Sequence, residues 1–116
     1  MRALKKFALG SDGLPTRGAV AAYERDGVVC LEGAFSDDWV QQGRRAVAAA
    51  IRTASNSPTR EDHKNDGESG TFFFDTFLWR RLPSFERFTF ASPAALLAQR
   101  VMRSRGLLLY FDMAIV

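Results

Sequence analysis

The chain has 116 residues, room for one domain, and at 47% hydrophobic and 25% charged it reads as globular, which excludes a disordered class. Its net charge of +3 rests on arginines spread along the chain, a pattern that speaks against a phosphate-tracking stripe and hence against nucleic acid. The lone Cys30 excludes a disulfide framework and a thiolate metal site, and no apolar run is long enough to span a bilayer.

"MRALKKFALG" has two lysines but no apolar core of signal-peptide length, so a reducing, cytoplasmic setting is expected, with no membrane partner. Residues 1–15 read as an N-terminal arm closing at Leu14-Pro15. Thr16 offers a hydroxyl to cap "RGAVAAYERD", and Gly27 is placed to end that helix. Val28 to Leu31 is a short β-branched run closed by Gly33, which predicts a strand and a turn.

Ser36 opens the best-marked helix, with Asp37 and Asp38 at the positive end of its dipole. Trp39/Val40, Val47 and Ala50/Ile51 supply its apolar side, and the helix should fade near Thr53. Residues 53–70, "TASNSPTREDHKNDGESG", are polar throughout and predict a long loop.

The chain then turns aromatic, with seven phenylalanines and Trp79 from Phe72 to Phe90. Core packing or the apolar wall of a ligand pocket suits this stretch better than a base-stacking platform, because the charge inside "TFFFDTFLW" is an acid. Ser92 and Pro93 start another helix, with Leu96, Leu97 and Val101 as its buried stripe and Gly106 just past its end. Last comes "LLLYFDMAIV", the most strand-like segment, whose unpaired edge would be an aggregation hazard.

Candidate chemistry is sparse. His63, the only histidine, lies in "REDHKND", a stretch with no apolar residue to hold a metal ligand in place, so it reads as a solvated loop residue. Asp75 and Asp112 each interrupt an apolar run. Each either faces outward, joins a structural ion pair with an arginine, or lines a polar cavity. No glycine-rich phosphate loop is present, and one histidine with one cysteine leaves little for a nucleophile triad. No catalytic residue and no metal ligand is assigned.

Three stretches, in this order, resemble the front part of the phytanoyl-CoA dioxygenase family. They are "YERDGVVCLEGAFSDDWVQQGRRAVAAAI", "FFFDTFLWRRLPSFERFTFASPAALLAQRVM" and "LLLYFDMAIV", within residues 18–116. The resemblance implies an α+β chain: the helix-rich N-terminal part of a double-stranded β-helix, a jelly-roll or cupin-like fold, cut before most of the barrel. It implies one partial domain over residues 1–116 and, in the complete enzyme, hydroxylation of an unactivated C–H bond with iron(II), 2-oxoglutarate and oxygen. By the same resemblance Met113 matches a position beside the cosubstrate, and Thr76 falls near a position where some members use a lysine. Phe74 and Trp79 would line the side where a small-molecule substrate sits.

The family's His-x-Asp pair has no counterpart here, since His63 is followed by Lys64 and Asn65. Neither iron nor 2-oxoglutarate is therefore expected on this chain alone, and its partner is expected to be the missing C-terminal half of the fold. Two other readings stay open: a non-catalytic module that pairs with a partner strand through residues 107–116, and a basic nucleic-acid binder resting on the pI near 9.5.

Overall fold

A computed structural model describes residues 3–53, 59–63, 67 and 72–116, the side chain of His63 apart. Helix and strand are mixed along the whole chain, an α+β arrangement that falls into two compact units: Met1–Asp37 with Ser92–Leu108, and Asp38–Ala91 with Leu109–Val116. No described helix is long and apolar enough to cross a membrane.

In the first unit, α1 (Arg17–Asp26) starts and stops where its chemistry dictates. The Thr16 hydroxyl accepts the Ala19 N–H at 3.2 Å, and Gly27, at φ 72°, donates its own N–H to the Tyr23 carbonyl at 2.7 Å. Ala19 and Ala22 are buried, and these small residues let α1 pack against α4 (Ala94–Val101). The expected arm contains a short strand, β1 (Lys6–Ala8), which pairs in parallel with β2 (Cys30–Glu32). Phe7 explains why a lysine-rich opening holds its place: its ring lies so near Gly18 of α1 that a Cβ there would come within 3.3 Å.

Three expectations shift in this unit. The second strand begins at Cys30, and Val28 is about half exposed. Leu97 and Val101 are buried at i, i+4, but Leu96 points to solvent. Most tellingly, α4 ends at Val101, well before Gly106. Arg103 takes the left-handed conformation at φ 51°, donating its N–H to the Arg100 carbonyl at 3.3 Å, while Ser104 N–H reaches the Gln99 carbonyl at 3.1 Å. These two bonds are the Schellman closure, made here by an arginine in the place glycine usually fills.

The second unit is a three-stranded antiparallel sheet, with the order β3 (Glu61–His63), β4 (Phe72–Thr76), β5 (Met113–Ile115), covered on one face. Part of the expected polar loop is thus strand, because Glu61 to His63 can borrow the ladder of an aromatic neighbour. Phe73 and Ala114 meet Ala50 of α2 (Asp37–Arg52) and Leu78 in the core, with Leu82 and Phe85 packed against them. Phe85 belongs to α3 (Pro83–Ala91), a helix that the aromatic stretch does not announce.

The covered side of α2 is narrower than its large apolar residues imply. Val40 and Ile51 are exposed, and the buried positions are Ala46 and Ala50, following Trp39 and Gly43 at spacings of four, three and four. Gly43 admits the Phe88 ring, since a Cβ there would lie 3.3 Å from it, and Trp39 meets the same ring edge-on at 5.9 Å.

The last strand is also shorter than its apolar run. Residues 107–111 form no ladder, and Leu108 and Tyr110 are 97% and 87% exposed. The cause lies in β4. After Thr76 the chain swings into a 3-10 turn, Leu78–Arg80, through Phe77 at φ 55°. The Phe77 N–H to the Asp112 carbonyl, at 3.1 Å, is the last rung available.

Candidate functional site

Strand alternation sends Phe72, Phe74 and Thr76 to the face of the sheet opposite Phe73 and Asp75. The register Phe74↔Ile115 and Thr76↔Met113 adds Met113 and Ile115 to that same face. Phe72, Met113 and Ile115 are all exposed, and the Phe72 and Phe74 rings tilt against each other at 6.3 Å. The result is a largely apolar face that also carries the Thr76 hydroxyl and, from the register Glu61↔Phe74, the exposed Glu61 of β3; the far edge of β5 has no neighbour among the described residues. A wall of this kind suits the apolar part of a ligand or further β-structure.

Three of the residues that the resemblance singles out, Phe74, Thr76 and Met113, therefore stand together on one face. Trp79 does not. It sits in the 3-10 turn, with its ring edge-on to Phe90 at 5.5 Å and the Arg80 guanidinium over it at 5.3 Å.

The opposite face explains the two acids. Asp75 is neither outward-facing nor in a polar cavity: its buried carboxylate accepts hydrogen bonds from Arg81 Nη2 and from the Thr59 hydroxyl, each at 2.7 Å. This is the structural ion pair. Asp112 Oδ2 accepts the Trp79 backbone N–H at 2.8 Å and so caps the 3-10 turn. Its Oδ1, like the indole N–H of Trp79, is buried with no partner among the described residues.

Arg60 holds the strand beside this face. Its guanidinium grips Asp62 through bonds of 2.8 Å from Nε and Nη2, reaches the terminal α2 carbonyls of Ala50 and Ile51 at 3.4 and 3.2 Å, and lies 4.5 Å from the centre of the Phe73 ring. The hydrogen bonds that Arg60 donates to Asp62 raise its pKa above the ordinary value, against the opposing effect of burial. Thr59 and Arg60 carry no signal within the polar stretch, and Arg81 looks like any solvated arginine until its partner is seen.

No group of three or more His, Cys, Asp or Glu among the described residues could hold a metal ion. The side chain of His63, and Lys64, Asn65 and Asp66 after it, lie outside the described residues. In the first unit a cleft of about 420 Å³ opens beside Arg17, Val20 and Glu24, but its one acid is already paired, Glu24 with Arg103 at 3.0 Å.

No family model matches the chain, and neither does any curated protein or solved structure.

Proposed function

We propose that this chain is the front part, or a truncated relative, of an iron(II)- and 2-oxoglutarate-dependent oxygenase similar to the phytanoyl-CoA dioxygenases. The observation that carries the reading is the shared sheet face. Phe74, Thr76 and Met113, marked by the resemblance alone, share one largely apolar face next to a strand edge with no neighbour among the described residues. In a double-stranded β-helix that face becomes the inside of the barrel, and the edge of β5 pairs with a later strand. The complete enzyme would use iron, 2-oxoglutarate and oxygen to hydroxylate a small molecule at an unactivated carbon. In this reading the iron ligands come from elsewhere in the complete fold, and the part of these residues is binding and exclusion of water. Met113 would lie against the cosubstrate, Phe74 would form apolar wall, and Trp79 would steady the turn below. A cytoplasmic setting goes with this reading.

The test is the coding DNA beyond codon 116. A continuation with a Lys-Pro-Gly turn, a His-x-Asp pair and a distant histidine is expected, and the protein so encoded should convert 2-oxoglutarate to succinate when supplied with iron(II). A continuing frame without those ligands would overturn the proposal. The edge of β5, which has no neighbour among the described residues, favours a second reading, a non-catalytic module that captures a partner's strand. A stop codon at that place, together with a purified chain that elutes as a stable monomer or defined dimer, would favour it instead.

A further inference from the structure

We draw no further inference here: the strongest candidate, the unpaired Trp79 indole N–H and Asp112 Oδ1 at the turn after β4, belongs to the site already described, and both atoms are closed off from solvent with no described cavity opening onto them.

Discussion

Arg81 reaches back six residues to bind Asp75, with Nη2 2.7 Å from Oδ2, and the carboxylate it neutralises is 1% exposed. The carboxylate is thus shielded from water while its partner stays partly wet. Removing the partner leaves a buried carboxylate held by the Thr59 hydroxyl and the field of Arg60, without its directly bonded cation. Arg81→Met is expected to lower stability by roughly 3 kcal/mol, the modest end for a broken buried pair because the arginine is about a third exposed. Adding Asp75→Asn should recover part of that loss, since the buried charge is then gone. Urea unfolding of the three variants checks this, and a loss under about 1 kcal/mol for Arg81→Met would show that the pair is dispensable.

Gly43 tests the packing of α2. Alanine gains about 1 kcal/mol of helix propensity but brings a methyl within 3.3 Å of Phe88, so the two effects should nearly cancel. Valine adds bulk that the ring cannot clear and should cost about 1–3 kcal/mol. Thermal melts that rank Gly43→Val equal to Gly43→Ala would mean the ring is free to move.

Arg103 occupies a glycine position at the end of α4, at φ 51°. Arg103→Gly should stabilise the chain by about 1 kcal/mol through relief of the left-handed strain. The substitution also removes the ion pair with Glu24, but that pair is exposed on both sides and its absence offsets little of the gain. A melting temperature below that of the parent would show that the ion pair outweighs the backbone.

Ile115 is 60% exposed on the open wall. Ile115→Lys should leave unfolding free energy within about 0.5 kcal/mol while reducing self-association, because an edge lysine discourages strand pairing. Light scattering against concentration gives the answer; unchanged association would place the sticky surface elsewhere.

Much of the local structure is legible in the chain, and what is not has identifiable causes. Thr16 and Gly27 bracket α1 because capping depends on nearest neighbours alone. The end of α4 is missed because Arg103 breaks the glycine rule, and the hydrogen bonds that tolerate it are visible only in three dimensions. Residues 107–111 look like strand by composition, yet pairing needs a partner, and β4 has already turned away at Phe77. At the site, the common placement of Phe74, Thr76 and Met113 follows from a register that no local pattern encodes. The readings of Asp75 narrow to one only when Arg81 and Thr59 come into view.

The two compact units are interleaved along the chain: Asp38–Ala91 lies between the two segments of the first unit, and Leu109–Val116 returns to the second. On a ribosome, α1 therefore emerges long before α4 can cover it, and β4 waits for β5 across about thirty-five intervening residues. Each unit is completed only when its last segment has been made, so the apolar faces of α1 and β4 wait for their partners until late in synthesis.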